Sequence, residues 1–409
     1  MRLGEVAPAA AIAPRLLRDL RIAVAMPNFR GGGMERMRLH LVQELARRGL
    51  EVDLVVSSAA GPLRDLVPTA VGIHEVARRH PALFPLGLAR YLRRRRPTHL
   101  LAGAQDIVLF ALVVGALGRR VPTVVSFHNH LAGELRLAGA GTWLKLRLLL
   151  LLLAPALPLS RRIVCVSRGV ADDLARRFPH VAKRTAVIYN PAVTPETRGR
   201  AEAPLRDCPV PAGAAWLLFV GRLVPAKGLD VLFAAFRELA AADPALHLVL
   251  LGDGPLRGWL IEQAGAAGLT DRVHLAGFQD NPLPWMREAT TVVLPSRHEG
   301  LPNVLIEALY CGARIVATDC PSGPAEILDN GRYGRLVPVD DPGALAAALA
   351  GYAEPRADAE RAACRARAEQ FSAEAAADAY LAALLDAPLP PFAAAAASAC
   401  GKPRPPARE

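Results

Sequence analysis

Short apolar runs alternate with longer helical stretches along most of the chain. The runs at 21–26 and 52–56 consist mainly of aliphatic residues, which is typical of strands that are buried on both faces. Residues 36–48 between them have helical spacing, and Gly49 marks the end of that helix. Repetition of this unit predicts a parallel sheet covered by helices. Further runs of the same kind begin at His99, Thr123, Arg162, Thr185, Trp216, His247, Arg272, Thr290 and Arg314.

The alternation is interrupted once, which predicts two domains. Asn190-Pro191 ends the first series, a charged segment punctuated by prolines follows, and the series restarts at Trp216. A chain of 409 residues is long enough for two cores of ordinary size. We therefore predict an α/β fold with two doubly wound, Rossmann-like domains that face a cleft. The predicted parts are a flexible leader at 1–19, an N-terminal domain at 20–192, a linker at 193–213, a C-terminal domain at 214–365, a helix at 366–387 that crosses back to the N-terminal domain, and a disordered tail at 388–409.

Charge is distributed unevenly between the two halves. Residues 1–200 hold 31 Lys and Arg against 13 Asp and Glu, whereas the remaining residues hold 18 against 25. A basic half favours an anionic partner, either a membrane surface or a nucleic acid. Alternatively, basic runs such as Arg93–Arg96 are solvated helix faces in an arginine-rich sequence. We expect an anionic membrane surface and no nucleic acid.

An apolar segment in the basic half bears on this choice. Residues 148–159 include six consecutive leucines, with Lys145 and Arg147 before them and Arg161-Arg162 after them. About 12 residues are too few for a spanning helix, which needs roughly 20. The segment is therefore either a helix in the membrane interface, anchored by Trp143, or a buried core helix. The sequence leaves both interpretations open.

Cysteine spacing and the N-terminus argue against other classes of protein. The six cysteines form no Cys-x-x-Cys pair and have no histidines at zinc spacing, which argues against disulfides and a structural metal. The first residues are interrupted by two prolines, so they do not resemble a signal peptide. We expect a cytoplasmic protein, peripheral on the inner face of the cytoplasmic membrane.

Two carboxylates eight positions apart mark the most informative stretch, Glu299–Glu307. A buried strand precedes it, and Pro302 suits the first position of the helix that follows. The N-terminus of a helix beside the end of a strand favours an anionic ligand. Two carboxylates at such a place would repel a bare phosphate, so we expect them to accept hydrogen bonds from sugar and ribose hydroxyls.

Two cations and one histidine are further candidates. Arg222 and Lys227 lie five positions apart on a loop that opens a helix, where they could clamp a diphosphate. Alone, such a pair is a surface loop more often than a site. His128 follows a strand and is either catalytic or structural, and His130 is a rival for the same role.

Several short motifs occur in a fixed order along the chain. In the second domain they are Gly221-Arg-Leu-x3-Lys-Gly, Gly252-Asp-Gly-Pro, Gly277-Phe and Ser296-Arg-His-Glu-Gly-x6-Glu-Ala. In the first domain they are Gly32-Gly-Met-Glu, His128, Val166-Ser and Tyr189-Asn-Pro. Together they resemble family 4 glycosyltransferases, which are retaining enzymes of the GT-B fold, over about residues 20–385. Thr194 departs from the family pattern, in which an acidic residue is common, but this position belongs to the hinge.

The resemblance implies how the diphosphate of a nucleotide-sugar donor is bound. Arg222 and Lys227 would hold it, with Gly33 approaching from the opposite domain. Fixed cations lower the barrier because the leaving diphosphate gains negative charge. The chain contains no Asp-x-Asp motif, so we expect neither a metal nor another cofactor.

The same resemblance assigns the rest of the donor. Glu307 would hold the ribose, and Glu299 with the backbone of Gly300 and Leu301 would hold the hydroxyls of the sugar. His128 would lie beside the sugar. Retention in glycoside hydrolases uses a carboxylate nucleophile, but the family is usually described by a front-face attack, so Glu299 is expected to bind sugar.

These features predict a retaining hexosyltransferase. It would move a hexose or N-acetylhexosamine from a nucleotide-diphosphate sugar, with UDP favoured over GDP, to a glycan or polyprenyl-linked acceptor in cell-surface polysaccharide biosynthesis. The stretch Thr318–Ile327 resembles the branch of the family that builds such chains. A GT-B epimerase and a non-catalytic nucleotide-sugar-binding subunit are the alternatives.

Overall fold

The computed structural model describes residues 19–77, 80–117, 120–137, 139–351 and 356–388. The predicted leader and tail lie outside these ranges, apart from residues 19 and 388. The described chain falls into two units. Unit 1 contains the residues up to Pro191 and those from Ala373 onward, and unit 2 contains Ala192–Ser372.

Unit 1 is built on one parallel sheet of seven strands. Its aliphatic strands are buried on both faces because helices cover the sheet, as the unbroken apolar runs predict. The strands are β1 (Arg21–Met26), β2 (Glu51–Val56), β3 (Gly72–Glu75), β4 (His99–Gly103), β5 (Thr123–Phe127), β6 (Arg162–Cys165) and β7 (Thr185–Val187). Their order in the sheet is β3-β2-β1-β4-β5-β6-β7. The helices that connect them are α1 (Gly33–Arg47), α2 (Phe84–Arg95), α3 (Gln105–Leu117), α4 (Leu131–Leu137), α5 (Ala140–Ala156) and α6 (Arg168–Arg177).

Unit 2 repeats the same architecture with six parallel strands. They are β8 (Trp216–Val220), β9 (His247–Leu251), β10 (Val273–Gly277), β11 (Thr291–Leu294), β12 (Ile315–Thr318) and β13 (Arg335–Val337), in the order β10-β9-β8-β11-β12-β13. The helices are α7 (Pro195–Ala201), α8 (Leu229–Ala242), α9 (Arg257–Ala266), α10 (Leu283–Glu288), α11 (Asn303–Tyr310), α12 (Pro324–Ile327), α13 (Pro342–Ala350) and α14 (Asp358–Glu369).

Strand order reverses once in each sheet. In unit 1 the reversal lies between β1 and β4, and in unit 2 it lies between β8 and β11. The loops that follow such a pair diverge and leave a crevice at the carboxyl ends of the strands, where doubly wound proteins bind ligands. The fold therefore places one such crevice in each unit.

The end of the described chain differs from the prediction of one helix at 366–387. Two helices occupy this region, α14 in unit 2 and α15 (Ala373–Leu385) in unit 1. Phe371 lies between the two helices. Its carbonyl accepts hydrogen bonds from the backbone N–H groups of Ala192 and Val193, at 3.0 and 3.1 Å, and these bonds to another segment interrupt the helical pattern at this residue. From there α15 packs against α1, and Arg48 pairs with Asp378.

The predicted linker at 193–213 contains a short helix that the sequence prediction missed. Thr194 begins α7 as its N-cap and accepts a hydrogen bond from the N–H of Thr197 at 3.0 Å. Arg198 then donates to both carboxylate oxygens of Glu369 on α14, at 3.2 and 2.7 Å. These bonds explain why this segment is part of unit 2 and is not a separate linker.

The leucine-rich segment forms a longer helix than the sequence indicated. Residues Gly141–Leu159 are helical over 19 residues, which by length and composition alone is enough to cross a membrane, so the length argument made from the sequence was wrong. Leu150, Leu153 and Leu157 are buried in unit 1. The opposite face exposes four leucines by 52 to 71%, at 144, 148, 151 and 152. One face of this helix therefore packs in unit 1, and the opposite face is exposed to solvent.

Candidate active site

The loop after β8 carries Arg222 and Lys227 at the crevice of unit 2. Its backbone is held by the neighbouring loop, since the N–H of Gly221 donates to Leu251 and that of Leu223 donates to Asp253, both at 2.9 Å. The side chain of Arg222 is exposed and forms no hydrogen bond with any described residue. Its five donors therefore remain available to a ligand.

Two glycines of this region are required by close backbone approach. Gly228 has φ +62°, and a Cβ atom there would collide with the carbonyl oxygen of Pro295. Gly252 has φ +126°, and a Cβ atom there would collide with the carbonyl oxygen of Gly221. The glycines that end the first motif and begin the second therefore allow three loops to stack on one another. The carboxylate of Asp253 accepts a hydrogen bond from the N–H of Gly254 at 2.7 Å, within its own turn.

Lys227 and Glu299 are in direct contact, although 72 positions separate them. Lys227 Nζ lies 2.5 Å from Glu299 Oε1, and the hydroxyl of Ser296 donates to the same oxygen at 2.6 Å. The two charged side chains are 19 and 11% exposed. An ammonium has three donors, so two remain for a ligand. Glu299 Oε2 has no partner among the described residues, which leaves it able to accept from a hydroxyl.

Arg297 joins the two loops of the site and was missed by the sequence interpretation. Its guanidinium donates to both carboxylate oxygens of Asp230, at 2.9 and 2.6 Å, and to Asp340 at 2.7 Å. It also donates to the carbonyl of Pro225, which lies in the turn that presents Lys227. Burial alone would raise the pKa of Asp230, but hydrogen bonds from Arg297 outweigh it and lower that pKa. Arg297 is part of the motif that begins at Ser296, but only its contacts in the structure show that it connects the two loops.

The loop that follows Glu299 is hydrogen-bonded to the segment after β12. Gly300 and Leu301 are buried, and the carbonyl of Gly300 accepts from the hydroxyl of Ser322 at 2.7 Å. Pro302 is the N-cap of α11 and not its first helical residue, which corrects the prediction by one position. Glu307 lies one turn into α11 and is half-buried. Residues 299 and 307 therefore both follow β11, beside the reversal of strand order.

Gly33 and His128 lie on unit 1. Gly33 is the first residue of α1, after β1, and a Cβ atom there would meet nothing within 4 Å. The fold therefore does not require glycine at this position, and any requirement for it would come from a ligand. His128 follows the last residue of β5.

The hydrogen bonds of His128 define its protonation. Its Nε2 lies 2.9 Å from the Ser126 hydroxyl and 3.4 Å from the guanidinium of Arg38. Because arginine can only donate, Nε2 must be the acceptor, and the ring proton is on Nδ1. Burial and the nearby charge of Arg38 lower the pKa of His128 to about 3. His128 is thus a neutral hydrogen-bonding group, whose Nδ1 has no partner among the described residues.

Arg38 is a second residue that the sequence interpretation missed. It is 3% exposed and donates to the hydroxyl of Ser126 at 2.5 Å. Gly103 makes room for it, because a Cβ atom there would collide with the guanidinium. Tyr380 of α15 lies over the same group, 6.0 Å from its ring centre. No local sequence signal links these residues, since two helices, α1 and α15, and two strands, β4 and β5, bring them together.

His130 is held by the fold and is a poorer catalytic candidate. It is 7% exposed, and its Nδ1 accepts from the N–H of Gly133 at 3.1 Å, at the start of α4. His298 flanks Glu299 on the loop after β11. In the part of the chain that the structure describes, no group of three or more His, Cys, Asp or Glu is arranged to hold a metal ion.

Comparison with known proteins identifies the family. The model of Glycosyltransferase Family 4 matches residues 31–194, and that of Glycosyl transferases group 1 matches residues 214–354. The lipopolysaccharide core biosynthesis glycosyltransferase LpsE of Rhizobium meliloti (strain 1021) is 30% identical over 371 residues, 87% of this chain and 97% of LpsE. The chain belongs to glycosyltransferase family 4. The family membership predicted from the motifs is confirmed.

Two further similarities concern this family 4 glycosyltransferase. N-acetylgalactosamine-N,N'-diacetylbacillosaminyl-diphospho-undecaprenol 4-alpha-N-acetylgalactosaminyltransferase of Campylobacter jejuni is 34% identical over 175 residues, 43% of this chain and 46% of that protein. The crystal structure of Anabaena HepE in complex with UDP-glucose has a TM-score of 0.69 at 19% identity and covers 90% of this chain and all of HepE. These likenesses confirm the predicted GT-B fold, with two parallel-sheet, Rossmann-like domains.

Proposed function

We propose that this glycosyltransferase is a retaining enzyme that uses a nucleotide-diphosphate sugar, with UDP favoured over GDP. The contact between Lys227 and Glu299 carries the proposal, because it joins a candidate diphosphate ligand to a candidate sugar ligand in one place. The exposed guanidinium of Arg222 supplies a second cation on the same loop. UDP is favoured because HepE, which has the same fold, binds UDP-glucose.

Each residue then has one task in the transfer. As the bond between the anomeric carbon and the diphosphate breaks, Arg222 and Lys227 stabilise the charge that develops on the leaving group. Glu299 accepts from hydroxyls of the sugar through Oε2, and Glu307 accepts from those of the ribose. His128 lies beside the sugar in its neutral form and helps to place it against the acceptor instead of removing a proton. The enzyme works without a metal, because its cations are side chains.

Retention is proposed to proceed by front-face attack, in which the leaving phosphate takes the proton of the acceptor. Glu299 is poorly suited to be a nucleophile, because Oε1 is already bonded to Lys227 and Ser296. An oxygen that accepts two strong hydrogen bonds is less nucleophilic than the oxygen of a free carboxylate. The bonds from Lys227 and Ser296 also fix the orientation of the carboxylate and so restrain its second oxygen, Oε2.

The acceptor is proposed to be a glycan or a polyprenyl-linked glycan in the synthesis of cell-surface polysaccharide. The names of two relatives support this class, since one acts in lipopolysaccharide core biosynthesis and the other on a diphospho-undecaprenol glycan. We propose that the enzyme is peripheral on the inner face of the cytoplasmic membrane. Its contact is the exposed leucine face of α5, with Leu148 exposed by 58% and Leu151 by 71%, flanked by Lys145 and Arg147.

Donor turnover tests the catalytic part. The purified protein is incubated with a panel of UDP- and GDP-sugars, with and without a polyprenyl-diphosphate glycan, and the products are analysed by mass spectrometry. Lys227→Ala should lose nearly all transfer, whereas Lys183→Ala, which removes an exposed lysine of unit 1, should not. Epimerisation of the donor without an acceptor, or full activity of Lys227→Ala, would contradict the proposal.

Sedimentation with vesicles tests the membrane part separately. Vesicles that contain anionic lipid, at low salt, should bind the protein, and Leu148→Ser/Leu151→Ser should weaken this binding. Ile261→Ser is the matched control, because Ile261 is 51% exposed on α9 of unit 2. Binding that is absent in the unmodified protein, or equally weakened by the control, would refute membrane contact through α5 and leave the catalytic part intact.

A further inference from the structure

A cavity lined by arginines lies at the edge of the sheet in unit 1. It has a volume of about 640 Å³ and lies between β3, the edge strand, and α2. Gly87 brings the helix close to the chain after β3, since a Cβ atom there would collide with the carbonyl of Val76. The arginines that line it are Arg64, Arg90, Arg94 and Arg95.

One of these arginines is already neutralised by a carboxylate beneath the cavity. Asp53 is 7% exposed and accepts hydrogen bonds from the hydroxyl of Tyr91 at 2.7 Å and from Arg95 Nε at 3.2 Å. The ring of His74 lies 3.2 Å from its other oxygen. Burial would raise the pKa of Asp53, but these bonds outweigh it and lower that pKa. Asp53 therefore stays ionised and fixes Arg95 and Tyr91 in the wall.

The other three arginines have no such partner. The side chains of Arg64, Arg90 and Arg94 form neither a hydrogen bond nor an ion pair with any described residue. Glu75 lines the cavity, and its carboxylate accepts from the backbone N–H of Ala59 at 3.4 Å. Arg95 is paired with Asp53 and also lies 3.9 Å from Glu51, so the uncompensated positive charge of the cavity comes from Arg64, Arg90 and Arg94 and is offset in part by Glu75.

We propose that this cavity binds a phosphoryl group. A phosphoryl group is negatively charged, and the guanidinium forks of Arg64, Arg90 and Arg94 match its oxygens. Arg90 and Arg94 are one helical turn apart, so both can reach one ligand. The site goes beyond the proposed function, because the cations assigned to the donor diphosphate, Arg222 and Lys227, belong to unit 2. It also accounts for part of the arginine run of α2, which the donor site does not use.

Titration with inorganic pyrophosphate tests the site in the full chain. The Arg222→Ala/Lys227→Ala background removes the proposed donor clamp, so that remaining binding reports on unit 1. Arg90→Gln/Arg94→Gln should raise the Kd at least tenfold, because each charge-assisted bond contributes about one power of ten or more. Arg93→Gln/Arg96→Gln is the matched control, since it removes the same charge from the same segment outside the cavity lining.

A second arm distinguishes a lipid-borne phosphate from a free one. Vesicles of phosphatidic acid in phosphatidylcholine are compared with phosphatidylcholine alone, with the same variants. Loss of pyrophosphate binding confined to the cavity variant indicates a soluble phosphoryl ligand, and loss of vesicle binding confined to it indicates a lipid headgroup. Equal loss in both variants, or loss in neither, would overturn the proposal. Neither readout depends on sugar transfer, so the proposed function is tested independently.

Discussion

The ion pair between Lys227 and Glu299 should be measurable as a coupling in the stability of unit 2. At 2.5 Å, Coulomb's law with an effective dielectric constant of about 20 gives an attraction of roughly 7 kcal/mol. Loss of hydration and of side-chain freedom removes most of this value for a pair that remains 19 and 11% exposed. We therefore expect a net coupling of about 1–2 kcal/mol.

A double-mutant cycle isolates this coupling. Lys227→Met leaves the carboxylate of Glu299 without a counter-charge, so it should destabilise more than Lys227→Met does in a Glu299→Gln background. Unfolding in urea can be followed by tryptophan fluorescence, because Trp216 and Trp285 are both buried in unit 2 and lie 6.1 Å apart, ring to ring. If the two single effects simply add, the pair is not coupled and the shared-site argument fails.

Three further results are expected. His128 binds a proton more weakly in the folded state (pKa about 3) than when unfolded, so stability should fall by about 1.4 kcal/mol per pH unit as pH drops from about 6 to 4. This dependence should be absent in His128→Gln by urea titration, and an unchanged slope would contradict the burial of its ring. Gly33→Leu should leave the melting temperature within about 2 °C, because a Cβ atom at this position meets no protein atom within 4 Å. It should abolish binding of a UDP-sugar, measured by calorimetry, if the donor approaches this position as proposed; unchanged binding would remove Gly33 from the site. Gly228→Ala should lower the free energy of unfolding by about 1–3 kcal/mol, because the added Cβ would collide with the carbonyl of Pro295 and the backbone has a positive φ. A melting temperature equal to that of the unmodified protein would show that the loop can relax.

Much of the fold could be predicted because its signals are local. The runs at β1, β8 and β11 are continuous and aliphatic, so periodicity alone located them. Helix ends were less predictable, as α14 and α15 show. Their separation depends on a hydrogen bond from Ala192, nearly 180 residues away, and no periodicity within the helices contains that information.

Part of the site could likewise be predicted from motif order, and part could not. The motifs located Arg222, Lys227 and Glu299 on loops after strands, where the structure has them. They did not show that Lys227 and Glu299 touch, or that Arg297 ties their loops together. The length of the helix at α5 was also misjudged, because the polar residues Lys145 and Arg147 were taken as its flank instead of its interior.

The sequence by itself determined the family, the two sheets and the loops that carry the candidate residues, because strand periodicity and motif order are properties of neighbouring positions. Tertiary structure decided which of those residues act together. The adjacency of β8 and β11 brings Lys227 to Glu299, and α15 returns to unit 1 and places Tyr380 over Arg38, which orients His128 through Ser126. The physical reason is that strand order in a sheet is set by packing of the whole core, so contacts across it are absent from any local pattern.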